Sequence, residues 1–337
     1  VQNRRFLLRE RPSGRIGSDT FELDERELPD IGEGEALVRA EWVSIDPTNR
    51  TWINDTPTYL PPVGIGEVMR GLSLGRVVES KSPNYEEGQL VQGLIGWQEY
   101  FIASDAAPLL PVPDVPGVSP SAYLGVLGMT GLTAWVGMRD IGRPQPGETV
   151  VVSAAAGAVG SVAGQIAKLE GARVVGVAGG REKCALLTER LGFAAAVDYK
   201  APDWHDQLVA ATPDGIDVDF ENVGGEIMDA IFARLNLRSR VALCGLISGY
   251  NDSEAPPRPR TTLSNLLVKR ALLQGFIVLD HFDRMPEAVA GLSALIAEGK
   301  LEPLETVVEG FEELPRAVNM LFDGANTGKL VVRLSDG

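Results

Sequence analysis

Cysteine and histidine are nearly missing from this chain: its 337 residues hold two of each, Cys184, Cys244, His205 and His281. Two cysteines build no disulfide framework, and a reducing cytoplasm is the expected compartment. Positive charge is also short, with 31 Lys and Arg against 46 Asp and Glu and a formal net charge of −15. That balance argues against nucleic acid or an anionic membrane as partner. No apolar run approaches membrane-spanning length, and the charged first ten residues lack the apolar core of a secretion signal. Internal repeats and low-complexity segments are absent as well. What remains, with 44% hydrophobic residues, is the composition of a soluble globular protein long enough for two domains, each with its own core.

The most informative stretch runs from Thr149 to Lys183. The run Val150-Val151-Val152 suits a strand buried on both faces. A turn of small residues, Ala154 to Gly160, follows it. Val159, Val162, Ala163 and Ile166 then fall at helical spacing up to Gly171. A second apolar strand, Arg173 to Ala178, closes a βαβ unit. In that context Ala155-x-Gly157-x-x-Gly160 reads as the dinucleotide fingerprint G-x-G-x-x-G with alanine at its first position. Gly157 lets the backbone approach a pyrophosphate, Gly160 and Gly164 let the helix lie tight on the strand, and the helix N-terminus offers free N–H groups to phosphate. At the tip of the second strand, NAD sites carry a carboxylate for the ribose hydroxyls. Here the tip reads Gly179-Gly180-Arg181-Glu182-Lys183. Gly179 and Gly180 leave room for a 2′-phosphate, and Arg181 and Lys183 can bind it, so NADP(H) is the expected cofactor.

Around this unit the chain has two textures. Residues 1 to about 125 show short β-like runs (Ala36 to Val43, Gly75 to Ser80, Gln89 to Gly93, Glu99 to Ala103) between Pro/Gly-rich turns, a mostly antiparallel β domain. Ser119 to Gly137 reads as two helical pieces broken around Gly128 to Gly131. From Glu182 to Glu298 helices and strands alternate, with strands expected at Ala194 to Asp198, Val218 to Val223, Arg240 to Leu246 and Leu272 to Leu279. That gives about six parallel strands and a dinucleotide-binding domain over 126–300. Residues 301–337 carry an apolar run, a short helix and a last strand that is expected to return to the first domain.

This order, with AAAGAVGSVAGQIAKLEGARVVGVAGGREK, FENVGGE, LCGLISGYN, LQGFIV and GANTGK, resembles the medium-chain dehydrogenase/reductase superfamily, and within it the zinc-independent branch of prostaglandin, alkenal double-bond and curcumin reductases. The resemblance covers nearly the whole chain and implies an α/β fold, a Rossmann doubly wound parallel sheet joined to a GroES-like β domain. Zinc members of the superfamily hold metal with Cys and His from the first domain, where residues 1 to 130 here contain neither, so no metal is expected. The implied reaction is hydride transfer from NADPH to the β-carbon of an enal or enone, with the enolate stabilised on the carbonyl oxygen. Quinone reduction on the same scaffold and a silent NADPH-sensing protein are the alternatives.

By the same resemblance, Met129 and Thr133 lie near the nicotinamide, and Gly157, Ala158 and Val159 lie at the pyrophosphate. Lys183 and Tyr199 match 2′-phosphate positions. Asn222, Cys244, Ile247 and Ser248 flank the middle of the cofactor, and Phe276, Val278, Asn326 and Gly328 return to the nicotinamide. Each has a bland alternative as a core or turn residue. Tyr250, after a strand's C-terminal end, can donate to an enolate. Tyr59, in a segment similar to the family's substrate loop, serves equally well as donor or as apolar wall. A tyrosine common in the family before the GFIV segment is absent from Asn265 to Arg270. Pairing of two copies through the strand at Leu272 to Leu279 is also implied.

Overall fold

A computed structural model of the chain describes residues 1–56, 58–113, 118–251 and 260–334.

The first strands form before the nucleotide-binding half. β1 (Gln2–Leu8) and β2 (Phe21–Glu27) make a two-stranded antiparallel ribbon. β3 (Ala36–Ile45) is the axis of a larger sheet with β4 (Ser73–Ser80), β5 (Leu90–Gly93), β6 (Tyr100–Ala103) and β7 (Leu110–Pro111). Ribbon and sheet close over one core, where Phe6 stacks on Phe311 at 5.0 Å between ring centres and meets Trp97 edge-on at 6.2 Å.

β8 (Thr149–Val152) opens the parallel sheet, followed by β9 (Arg173–Ala178), β10 (Ala195–Asp198), β11 (Ile216–Glu221), β12 (Leu235–Leu243) and β13 (Leu272–Gly275). Their order is β10-β9-β8-β11-β12-β13, every pair parallel. Val150, Val151 and Val152 are all fully buried, which a continuous apolar run achieves only with helices on both faces. Helices at Ala158–Leu169, Trp204–Ala211, Gly225–Phe232 and Met285–Ala297 supply that cover. The order reverses between β8 and β11, which opens a crevice at their C-terminal ends, the place where open α/β sheets bind ligands.

The chain ends in the first sheet. β14 (Glu305–Glu309) runs parallel to β15 (Lys329–Arg333), and β15 pairs antiparallel with β3, Leu330 opposite Ile45. The fold is thus a Rossmann parallel sheet plus a mostly antiparallel sheet of GroES-like type.

Several elements differ from the sequence reading. β1 and β2 were not expected: Gln-Asn-Arg-Arg and Asp-Glu-Arg-Glu hide their pattern, and of β2 only Phe21 is buried. The run at Leu272 to Leu279 is strand only to Gly275, then turns into a 3-10 helix at Val278–Arg284. Its partner explains why. The register ends at Leu243 opposite Gly275, and the next amides, of Cys244 and Gly245, turn away to the Glu221 carbonyl at 2.9 and 3.1 Å. Finally β11 and β12 stop at Glu221 and Leu243, so Asn222 and Cys244 stand in the bends beyond their strands.

Candidate active site

The turn after β8 is the floor of the crevice. Ala154 takes a left-handed conformation, φ 47°, and Gly157 caps the helix at Ala158–Leu169, with Ala158 and Val159 half-buried in its first turn. Alanine is tolerated at position 155 because β9 carries the compensating glycine: a Cβ on Gly176 would lie 2.9 Å from that of Ala155. Gly160 is obligatory, since a Cβ there would sit 2.4 Å from the Ala154 carbonyl oxygen. Gly164 lies tight against a different neighbour than expected. Its missing side chain makes room for the ring of Phe193, 2.2 Å from an ideal Cβ, and not for the strand.

One end of the crevice is a cleft of about 640 Å³ lined by Gly179, Gly180, Arg181, Lys183, Gly324 and Thr327. Gly180 has φ 95°, open to glycine and strained for other residues, and donates its N–H to Asp198 Oδ1 at 2.7 Å. Lys183 Nζ donates to the Gly324 carbonyl at 2.9 Å. Burial pushes its pKa down, and the neighbouring Lys200 adds to the effect. Around Gly324 the cations converge. A Cβ placed there would be 3.8 Å from both Lys183 Nζ and Lys200 Nζ, and 3.9 Å from the Tyr199 hydroxyl. Two ammonium groups and a phenol around one open space suit a phosphate dianion. Arg181 is exposed at the rim of this cleft. Lys200 was missed in the sequence, where nothing but its place after Tyr199 marks it.

At the bend after β11, Asn222 donates from Nδ2 to the Ser153 carbonyl and from its backbone N–H to Ser153 Oγ, both at 2.7 Å. Ser153 Oγ in turn donates to the buried Glu221 carboxylate at 2.9 Å, which also accepts the N–H groups of Val223 and Gly224. Ser153 and Glu221, both unmarked by the sequence reading, hold this bend. After β12, Ile247 N–H bonds to the Asn222 carbonyl at 3.2 Å, and Ser248 Oγ to that of Val223 at 2.6 Å. Burial pushes the Cys244 thiol up to about 12, so it stays protonated and is a wall, not a nucleophile.

Tyr250 lies beside these bends. Its oxygen accepts the Leu246 N–H at 3.2 Å, which leaves its own proton to donate, and burial raises its pKa. Tyr59, 42% exposed, is raised by burial against a hydrogen bond with Thr48, and feels Tyr250 and Asp46 electrostatically. The two tyrosines, one from each half of the chain, therefore come to one place.

The helix Met129–Val136 carries two threonines. Thr133 Oγ1 is spent on the Met129 carbonyl at 2.7 Å. Thr130 Oγ1 beside it is buried with no partner among the described residues, an orphaned hydroxyl that a bound amide would satisfy. Phe276 packs edge-on to Phe220 at 6.4 Å, and both Phe276 and Val278 border the Rossmann core, not as strand residues but beyond the strand's end. Asn326 and Gly328 close the floor. Gly328 donates to the Ala156 carbonyl at 2.7 Å and bridges Gly157, while Asn326 Nδ2 bonds to the Gly328 carbonyl at 3.0 Å.

Fold and site together define a two-domain, nucleotide-dependent oxidoreductase. Comparison with known proteins agrees. The family model for the N-terminal domain of oxidoreductase matches residues 4–112, and that for zinc-binding dehydrogenase matches 158–294. Curated relatives include NADPH-dependent curcumin reductase of Escherichia coli (strain K12), 45% identical over 99% of this chain and 97% of that protein. Prostaglandin reductase 1 of Mus musculus is 40% identical over 99% of both chains. The 2-alkenal reductase (NADP(+)-dependent) of Nicotiana tabacum is 36% identical over 99% of this chain and 98% of that one. A solved structure of CurA in complex with NADPH from Vibrio vulnificus superposes with TM-score 0.94 at 41% identity, covering 99% of this chain and 100% of the other. The chain belongs to the medium-chain dehydrogenase/reductase family, in the zinc-independent branch of curcumin, alkenal and prostaglandin reductases. Among the described residues no group of three or more His, Cys, Asp or Glu could hold a metal ion.

Proposed function

We propose that this chain is an NADPH-dependent reductase of the C=C bond of α,β-unsaturated aldehydes and ketones. The observation that carries the reading is Tyr250: a half-buried phenol beyond the C-terminal end of β12, its oxygen engaged by a backbone N–H and its proton available. NADP(H) bound in the crevice supplies the hydride. Gly157, Ala158 and Val159 receive the pyrophosphate, Lys183, Lys200 and Tyr199 with Arg181 on the rim take the 2′-phosphate, and Met129, Asn326, Phe276 and Val278 border the nicotinamide. Tyr250, with Tyr59 beside it, donates to the carbonyl oxygen on which negative charge develops when the β-carbon is reduced. Such donors act where water is excluded, and burial that keeps a phenol protonated suits them to that task.

The test is NADPH oxidation with an alkenal, an aryl enone, a quinone and a saturated ketone, with products identified. Saturated carbonyl product with the C=O intact is expected from the first two. Turnover of the quinone alone, or tight NADPH binding with no turnover, overturns the assignment.

The division into residues 1–125 with 301–337 as one domain and 126–300 as the other belongs to the same proposal, supported by the pairing of β15 with β3. So does a homodimer in the cytoplasm. β13 is an edge strand, with Leu272 and Leu273 42% and 38% exposed, a row of open backbone groups that a second copy would cover. Sedimentation of a monomer at micromolar concentration refutes the dimer.

A further inference from the structure

Arg50 has no place in the chemistry above, and it is 2% exposed. It lies in the helical turn Thr48–Thr51, which follows β3 and carries Thr48 against Tyr59. Its Nε donates to the Gly14 carbonyl at 2.8 Å and to Asn251 Oδ1 at 3.1 Å. One terminal nitrogen donates to Asn54 Oδ1 and the other to the Pro12 carbonyl at 3.2 Å. Every acceptor is neutral, and among the described residues no carboxylate pairs with it. Burial lowers its pKa, yet a guanidinium keeps its charge.

A buried cation satisfied by amide and carbonyl oxygens alone is a costly way to hold a core together. What those oxygens share is position. Pro12, Gly14 and Asn54 belong to the substrate side of the cleft, whereas Asn251 belongs to the Rossmann half and directly follows Tyr250. The Arg50–Asn251 bond is thus a hydrogen bond across the cleft, one residue from the phenol. On the other side, the Tyr250 oxygen is held by Leu246 N–H. The phenol is fixed at one end by its own half of the molecule, and the backbone that carries it is tied at the other end to the half that brings Tyr59.

We infer that Arg50 and Asn251 form a cross-cleft latch that positions Tyr250 against the substrate, so that the donor is in place only when the two halves are together. The inference rests on the reading of Tyr250 as donor. Arg50 and Asn251 are positioning residues, and neither touches the reacting atoms. A neutral amide at 251 suits a latch that opens for product release, because it accepts from the guanidinium without the ion pairing that a carboxylate would add.

The test uses the full chain and steady-state kinetics with an aryl enone. Asn251→Ala is expected to lower kcat about tenfold, as small misplacements of a catalytic group do, with the KM for NADPH unchanged. Asn251→Asp retains an acceptor for Arg50 and is expected to recover most of the lost kcat. The double variant Tyr250→Phe/Asn251→Ala is expected to be no slower than Tyr250→Phe alone, since a latch that acts through the phenol has nothing left to position. A slow Tyr250→Phe with a normal Asn251→Ala overturns the latch and leaves the donor standing. Multiplicative losses in the double variant overturn it too. Unchanged turnover in Tyr250→Phe overturns the reading of the donor, and the latch falls with it. A lower melting temperature in Asn251→Ala with intact kcat reduces the bond to scaffolding and refutes the inference.

Discussion

Asp219 sits in the middle of β11, fully buried, with neither carboxylate oxygen partnered among the described residues. Its register partners are Val151 on β8 and Val241 on β12, both fully buried and both in the apolar layer that includes Ile227, Ile231 and Phe232. A carboxyl in that setting keeps its proton. Burial first, and the nearby Glu221 second, hold its pKa well above the usual carboxylate range. The sign of the pH dependence follows. Above the unfolded pKa the unfolded chain releases this proton while the folded chain still binds it, so Asp219 lowers stability as pH rises, by about 1.4 kcal/mol per unit, until the folded pKa is reached. Asp219→Val removes the titration and an unsatisfied buried polar group, which alone costs about 1–3 kcal/mol, and places a β-branched side chain between two valines. The expected result is a more stable protein at about pH 8, with a smaller gain at about pH 6 because less of the linkage has accrued there. Asp219→Asn removes the titration and keeps the polarity, so it should lose the pH-dependent part alone. Urea midpoints of the three proteins at both pH values decide it. A valine variant less stable than the parent at the higher pH, or a gain that is the same at both, refutes the reasoning.

Two further outcomes are expected. Lys183→Ala and Lys200→Ala should each raise the KM for NADPH by about tenfold or more, the loss of one charge-assisted bond, and leave that for NADH nearly unchanged; equal losses for both cofactors would remove either lysine from the phosphate. Gly328→Ala puts a Cβ 2.0 Å from the Leu304 carbonyl oxygen at φ 66°, so it should lower the melting temperature and the affinity for NADPH together, and an alanine variant with normal binding would refute the close approach seen there.

The βαβ unit was legible because burial on both faces writes itself as an unbroken apolar run, and Arg173–Ala178 falls where the pattern put it. The same rule misled at Leu272 to Leu279. Apolarity continues past Gly275, but strand formation needs a partner backbone, and β12 had already turned away. β1 and β2 escaped for the opposite reason, since charged residues line the outer face of a ribbon that buries little more than Phe6, Leu8 and Phe21. In the site, residues inside motifs were found, and lone polar residues were not. Lys200, Ser153 and Thr130 gain meaning only when separate loops converge on them, and no spacing along the chain encodes that. Arg50 and Asn251, 201 positions apart, are the extreme case.

The hydrogen bond from Gly328 to the turn at Ala156 has a consequence for how the protein is made. β15, which follows directly, lies between β14 and β3 in the first sheet. A chain emerging from the ribosome therefore presents β3 to β7 early yet cannot finish their sheet until β15 is out. The nucleotide floor waits for the same few residues. Synthesis yields no working half: release of the C-terminal segment completes the older domain and the cofactor crevice in one event, and a premature stop anywhere before β15 costs both.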